Sequence, residues 1–226
     1  MSNEKIYKVI EVDEASSDKK AADDLSVVRT NVEDEMKRVR DKNIKDFREF
    51  MLNRVNSPIV LSNFLDELDY FTAPASVSHH GNYIGGLYDH SKQVAVELVN
   101  LTDKLGLRWN HSSSPFTIGM LHDLCKCDDY VMNSEGVWAY NKNKLLPGHG
   151  EKSVMLAQQV MTPVQGGITD EEMYCIRWHM GAFDDRENWS CYTAAVKAYP
   201  NVLYAHTADM IASQIIEIKE DLYEGN

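Results

Sequence analysis

The chain has 226 residues, of which 43% are hydrophobic and 26% are charged, and its formal net charge is −12. These values are ordinary for a globular domain with its own core. Long nucleic acid is an unlikely partner, because its phosphate backbone attracts clusters of Lys and Arg. No segment approaches the roughly 18 consecutive apolar residues of a membrane helix, and the N-terminus has no apolar signal-peptide region. The sequence therefore predicts a cytoplasmic protein without a membrane partner.

The first 55 residues are predicted to form a tail and a helical extension. Residues 1 to about 20 are polar and aperiodic, whereas apolar residues from Leu25 to Val39 recur at helical spacing. This stripe indicates a helix that packs on its own domain or, alternatively, a dimerising helix, so a homo-oligomer is possible. A second helix is predicted from about Ile44 to Val55, before the Ser57-Pro58 step.

The main domain is predicted to span residues 56–226 and to be helical. Its predicted helices cover about 59–68, 87–105, 116–125, 151–161, 169–180 and 201–221. Two short extended runs around a Ser-Glu-Gly turn, within residues 129–140, form the one candidate strand pair. The sequence therefore predicts an all-α helical bundle with this one candidate β-hairpin, plus the N-terminal helical extension.

Several predicted helices carry an ionisable residue on the apolar face. His90 shares a stripe with leucines, His122 follows Ile118 and Leu121, and Asp209 shares a face with apolar residues of the last helix. A single buried histidine is usually a hydrogen-bonded core residue, and a single aspartate usually pairs with a cation. Taken together, the residues indicate a mixed nitrogen and oxygen site for divalent metals.

A set of motifs gives the sequence a family resemblance. His122 and Asp123 lie in GMLHDLCK, which resembles the H-D-x-x-K signature of the HD phosphohydrolase superfamily. Upstream, HHGNYIGGLYDHS resembles the HH-x-x-x-x-GGL-x-x-H segment of HD domains such as those in bacterial 3′–5′ exoribonucleases, which implies a ligand at His90. Downstream, LPGHGEKS, RWHMGAFD and AHTADM resemble the segments that carry the remaining ligands, here His149, His179 and Asp209.

The resemblance implies one or two divalent metal ions, which could be Mn, Fe, Co, Ni, Zn or Mg. The four ligands implied for the first ion are His90, His122, Asp123 and Asp209. Asp123 could bridge to a second ion, which His149 and His179 would complete. Many two-metal members of the superfamily have a histidine where this chain has Trp178. That departure leaves His179 as the one histidine of this segment for the second ion.

Other residues are implied to act around the metals. Asp123, Lys126 and His80 are the implied catalytic residues, with Lys126 at the family's lysine position. The alternative for Lys126 is a solvated helix-end cation. His79, His80, Lys126 and Asp184 are candidate contacts to substrate, and His206, one turn before Asp209, is expected to hold a ligand in place.

The four cysteines, Cys125, Cys127, Cys175 and Cys191, form no C-x-x-C pair, and because the sequence shows no export signal they are interpreted as reduced thiols. A thiolate ligand at Cys125 or Cys127 is disfavoured, since no second cysteine pair completes a site.

The predicted function is hydrolysis of a phosphate ester or anhydride bond in a small, nucleotide-like substrate through a metal-activated water. The missing G-Y-P motif disfavours the cyclic-dinucleotide subgroup, and the motifs look more like stand-alone bacterial and phage HD hydrolases. One alternative is a 3′–5′ nuclease or phosphodiesterase on single-stranded or cyclic nucleic acid, which the lack of a basic stripe disfavours. The other is a non-catalytic, metal-stabilised interaction module.

Overall fold

The computed structural model describes residues 19–78, 81–133 and 136–216, with side chains described from residue 29 onward. These residues form eight α-helices and one two-stranded antiparallel hairpin, which confirms the predicted all-α fold with a short hairpin. The helices are α1 Lys19–Phe50, α2 Pro58–Glu67, α3 Gly86–Leu105, α4 Ser114–Leu121, α5 Gly150–Gln165, α6 Asp170–Arg177, α7 Trp189–Ala198 and α8 Asn201–Ile211.

Short elements connect the helices. The hairpin pairs β1 Tyr130–Met132 with β2 Trp138–Tyr140, with Val131 opposite Ala139. Three 3₁₀ turns cover Leu124–Cys127, Gly181–Phe183 and Arg186–Asn188, and a π-helical turn, Ala212–Ile216, follows α8. Among the described residues, no helix is long and apolar enough to cross a membrane.

The structure differs from the predicted elements in three places. The two N-terminal helices are one continuous helix, α1, because the polar run after Val39 contains no helix-breaking residue and Asn43 is buried where it donates to the carbonyl of Phe71. Helix α7 was not predicted, since only Ala195 on it is buried and its apolar periodicity is weak. The last helix changes to the π-helical turn after Ile211, and its predicted end at about residue 221 lies outside the described residues.

The C-terminal half of α1 packs on the rest of the protein. Phe47 and Met51 are buried in the same core as the helices that follow. Arg40 forms a two-bond ion pair with Asp66 of α2, with both nitrogen–oxygen distances at 2.5 Å. By contrast, no side chain from residue 29 to residue 40 is buried. The boundary at residue 55 and a dimerising role for α1 stay predictions.

Two glycines allow the close helix contacts that position the candidate site. A Cβ atom on Gly119 of α4 would lie 2.3 Å from the Cα atom of Ala95 in α3. A Cβ atom on Gly150, at the start of α5, would lie 2.1 Å from the carbonyl oxygen of Arg177 at the end of α6. Because neither position has room for a side chain, α3 meets α4 and α5 meets α6 at backbone distance.

Candidate metal centre

Six ionisable side chains from the ends of five helices converge at one place. His90 lies in the second turn of α3, His122 and Asp123 follow α4, and Asp209 lies in the last turn of α8. The two others are His149, immediately before α5, and His179, just after α6. His90, His122, Asp123 and His179 are at most 3% exposed. The structure therefore brings together all six residues that the sequence singled out as metal ligands.

One group of atoms surrounds the Nε2 atom of His90. This atom lies 3.3 Å from Nε2 of His122, 3.2 Å from Oδ1 of Asp209 and 3.7 Å from Oδ2 of Asp123. Nε2 of His122 lies 3.6 Å from the same Asp123 oxygen. Two ligand atoms that each lie about 2.1 Å from one metal ion are separated by about 3.0 to 3.4 Å in octahedral or tetrahedral geometry. The distances from His90 to His122 and Asp209 lie in this range and those to Asp123 exceed it by a few tenths of an ångström, so a small inward shift of these side chains would let them share a single ion.

A second group faces the other oxygen of Asp123. Oδ1 of this carboxylate lies 2.8 Å from Nε2 of His149 and 3.3 Å from Nε2 of His179. The histidine rings of this group are 5.2 Å apart, measured between centroids. His179 is also close to the first group, with its ring 4.9 Å from that of His122. Asp123 thus presents one oxygen to each group.

Main-chain carbonyls orient two of the histidines. Nδ1 of His122 donates to the carbonyl of Gly119 at 2.8 Å, and Nδ1 of His179 donates to the carbonyl of Ile176 at 2.7 Å. Because a carbonyl can only accept, each Nδ1 carries a proton, so the neutral form of each ring has its lone pair on Nε2, facing the centre. Nε2 of His179 is buried and makes no hydrogen bond in the described part of the chain. A buried, unsatisfied lone pair of this kind is suited to a metal ion.

Burial and neighbouring charges shift the ionisation of the centre. Burial lowers the pKa of His122 to about 4, against the opposing effect of Asp123, so this ring is neutral at pH 7. Burial raises the pKa of Asp123, but Lys126, His122 and His149 together outweigh burial and hold that pKa well below its usual value. Both residues are therefore in the protonation state that metal coordination needs.

Asp209 and Lys126 are also fixed in their charged forms. Burial raises the pKa of Asp209, yet the hydrogen bond with His90 and the electrostatic interactions with the neighbouring histidines outweigh burial and leave the pKa lowered. Burial lowers the pKa of Lys126, but its ion pair with Asp123, 2.8 Å between Nζ and Oδ2, raises the pKa overall. The cation of Lys126 thus lies directly beside the carboxylate that joins the two groups.

The side chain behind His149 is a cysteine. Sγ of Cys125 lies 3.4 Å from Nδ1 of His149, and the backbone N–H of Cys125 donates to the hydroxyl of Ser153. Burial raises the pKa of the Cys125 thiol, which keeps it protonated. Asp123, Cys125 and His149 nevertheless form one of three described groups that could hold a metal ion; the others are His90–His122–Asp123 and His122–His179–Asp209.

The residues predicted to act around the metal ligands differ in their contacts. Nδ1 of His206 donates to the carbonyl of His179 at 2.7 Å, so this ring supports the loop that carries a candidate ligand. Asp184 contacts Arg177 and not His179, with 2.6 Å between the Asp184 carboxylate and the guanidinium. His79 and His80 lie outside the described residues, so their roles stay predictions.

The sequence did not predict the contacts of Arg177, and it disfavoured Cys125 as a metal ligand. Arg177 bridges Asp184 and Glu151, which are seven residues ahead of it and 26 residues behind it in the chain. No local pattern links such positions. The adjacency of Cys125 to the His-Asp pair was visible in the sequence, but its orientation toward His149 depends on how α5 packs.

No protein-family model, curated protein or solved structure matches this chain. The class of site therefore follows from geometry alone: buried histidine and aspartate side chains, with a cysteine at their edge, that could hold a metal ion.

Proposed function

We propose that this protein is a metal-dependent phosphohydrolase of the HD superfamily. The observation that carries the proposal is the carboxylate of Asp123, which presents Oδ2 to His90 and His122 and Oδ1 to His149 and His179. A bridging carboxylate between two sets of imidazoles is typical of centres that bind two adjacent divalent ions. The motif order in the sequence supports the same proposal.

The donor set fits the ions that the resemblance implies. His90, His122, Asp123 and Asp209 would hold the first ion, and His149 and His179 would hold the second with Asp123 shared between them. Imidazole and carboxylate ligands suit Mn, Fe, Co, Ni and Zn, and a set with four imidazoles suits Mg less well. When bound, the ions would supply a coordinated water of lowered pKa and neutralise charge on a phosphoryl group.

Lys126 is positioned to bind the substrate's phosphate. Its ammonium group is held 2.8 Å from Oδ2 of Asp123, and its side chain is 14% exposed. The raised pKa of Lys126 keeps this group charged at neutral pH. A fixed, desolvated cation beside the centre can donate a hydrogen bond to a phosphoryl oxygen whose negative charge increases during hydrolysis.

Two features favour a nucleotide as the substrate. The ring of Phe183 is 68% exposed although it lies on the turn that follows His179, and its centroid is 6.3 Å from that of His206. Exposed aromatic rings beside a phosphate site are suitable surfaces for stacking a base. The net charge of −12 favours a small ligand over a long nucleic acid.

A phosphate-release screen tests the proposal. The purified protein would be incubated with nucleoside mono-, di- and triphosphates, cyclic nucleotides and a short single-stranded RNA, each with Mg, Mn, Co, Ni or Zn. Asp123→Ala serves as the inactive variant. Asp66→Asn serves as the matched control, because Asp66 is an ion-paired acid that binds Arg40 instead of a histidine.

We expect turnover of one nucleotide class that Asp123→Ala abolishes and Asp66→Asn retains. Turnover of the oligonucleotide alone would replace this function with that of a nuclease. A protein that fills with metal and hydrolyses none of the compounds would instead be a metal-stabilised interaction module.

A further inference from the structure

The two histidines proposed for the second metal lie on different helix ends, and nothing in the local sequence joins those ends. His149 precedes α5, whereas His179 follows α6. Their rings are nevertheless only 5.2 Å apart between centroids. The side chain of His149 is 32% exposed. Apart from the carboxylate of Asp123, the polar group described beside its ring is the thiol of Cys125, a weak hydrogen-bonding partner. The position of His149 therefore depends on what holds the start of α5.

Arg177 makes the contacts that join these two helix ends. Its Nη2 atom lies 2.5 Å from Oε1 of Glu151, in the first turn of α5. Its Nη1 atom donates to Oδ2 of Asp184, in the loop after His179, at 2.6 Å. One planar guanidinium thus binds a carboxylate on each side, which a lysine ammonium cannot do with the same geometry.

The guanidinium is itself fixed in place. Its carbon atom lies 3.9 Å from the centroid of the Trp178 ring, and only 14% of the Arg177 side chain is exposed. Asp184 is fixed as well, because it accepts hydrogen bonds from Asn188 and from the backbone N–H of Asp185. The main-chain carbonyl of Arg177 lies against Gly150, the residue after His149. Side chain and backbone of one residue therefore set the spacing of α5 and α6.

We propose that Arg177 is the positioning residue for the second metal site, with Glu151 and Asp184 as its partners. It acts through His149 and His179 and does not touch the centre. This role rests on the proposed two-metal function. It also assigns a role to Trp178, which replaces the histidine found in many two-metal relatives: the indole ring supports the guanidinium. The ligands of the first site, on α3, α4 and α8, are not connected to Arg177 by any described contact.

The test measures metal binding and does not depend on activity. Cobalt(II) would be titrated into metal-free full-length protein, with calorimetry and visible absorption following the two binding steps and elemental analysis giving the final content. Arg177→Lys keeps the charge but loses the two-sided geometry. Arg54→Lys is the matched control, because Arg54 also stacks on an aromatic ring, at 4.0 Å from the Phe116 centroid, but contacts no candidate ligand.

We expect wild-type protein and Arg54→Lys to bind two ions. Arg177→Lys should bind the first ion with unchanged affinity and the second about 10- to 100-fold more weakly, which is the usual loss when a residue supporting metal ligands is changed. Asp184→Asn should weaken the second step more than Glu151→Gln, because the Asp184 side chain is 13% exposed and that of Glu151 is 54% exposed. If Arg177→Lys fails to fold, the affinity of Asp184→Asn and Glu151→Gln for the second ion tests the inference instead.

Three results would overturn the inference, and they are distinguishable. If wild-type protein binds two ions and all three variants match it, Arg177 has no positioning role while the two-metal proposal stands. If wild-type protein binds fewer than two ions, the two-metal proposal fails and this role fails with it. An equal weakening of both steps in Arg177→Lys would show a general structural role and would also refute the inference.

Discussion

Replacement of Asp123 by alanine should destabilise the metal-free protein, because it leaves the Lys126 ammonium buried without a partner. In the described part of the chain, Asp123 is the only acid within ion-pairing distance of Lys126. Removing one member of a buried ion pair costs about 3 to 5 kcal/mol. Because 14% of the Lys126 side chain is exposed to solvent, we expect a destabilisation at the lower end of this range, about 3 kcal/mol. In a chain of 226 residues this corresponds to a fall in Tm of about 6 to 12 °C.

A double-mutant cycle separates this effect from the loss of packing. Asp123→Ala, Lys126→Met and the double variant would be unfolded in urea with EDTA present. The double variant should recover about 2 kcal/mol relative to Asp123→Ala, because methionine replaces the unpaired charge with an apolar chain of similar length. If Asp123→Ala lies within 1 kcal/mol of wild type, or if the double variant is no more stable than Asp123→Ala, the ion-pair argument is wrong.

The remaining predictions concern pH, metal and packing. Burial lowers the pKa of His122 to about 4, so between about pH 6.5 and pH 4 the unfolded chain binds a proton that the folded chain excludes. Metal-free protein should therefore lose about 2 kcal/mol from pH 7 to pH 5 in urea unfolding, and His122→Gln should lose less; equal losses would exclude His122 as the cause. A divalent ion at 100 times its Kd should stabilise wild-type protein by about 2.7 kcal/mol in a thermal melt and should leave Asp123→Ala unchanged, whereas a similar gain in both would place the ion elsewhere. Gly119→Ala should cost at least about 2 kcal/mol in urea, because its new Cβ would lie 2.3 Å from the Cα atom of Ala95. Gly166→Ala, whose Cβ meets no atom within 4 Å, is the control and should cost only the strain of its positive φ, about 1 kcal/mol; equal losses would refute the steric argument.

Local sequence patterns predicted most of the fold because they reflect short-range physics. Thr169 and Glu172, three residues apart, form a capping box where the predicted range 169–180 begins, and α6 starts there. Gly106, just after the predicted range 87–105, adopts the left-handed conformation that ends a helix. Helix α7 escaped prediction because it buries little more than Ala195, so its apolar period is weak.

The sequence by itself determined which residue types stand at the helix ends and in which order. That order was enough to single out six residues, from His90 to Asp209, that the structure brings together. Each of them has an ordinary structural interpretation when taken alone. Their common interpretation came from the motif set, since all members except the adjacent His122 and Asp123 are separated by tens of residues along the chain.

Only the tertiary structure decided how these residues face one another. The two carboxylate oxygens of Asp123 face two different groups of histidines. This arrangement depends on the close approach of α3 to α4 at Gly119 and of α5 to α6 at Gly150. The bridge formed by Arg177 likewise joins acids that are far apart in the chain. Such contacts arise from the packing of whole helices, and helix periodicity carries no information about the distance between two of them.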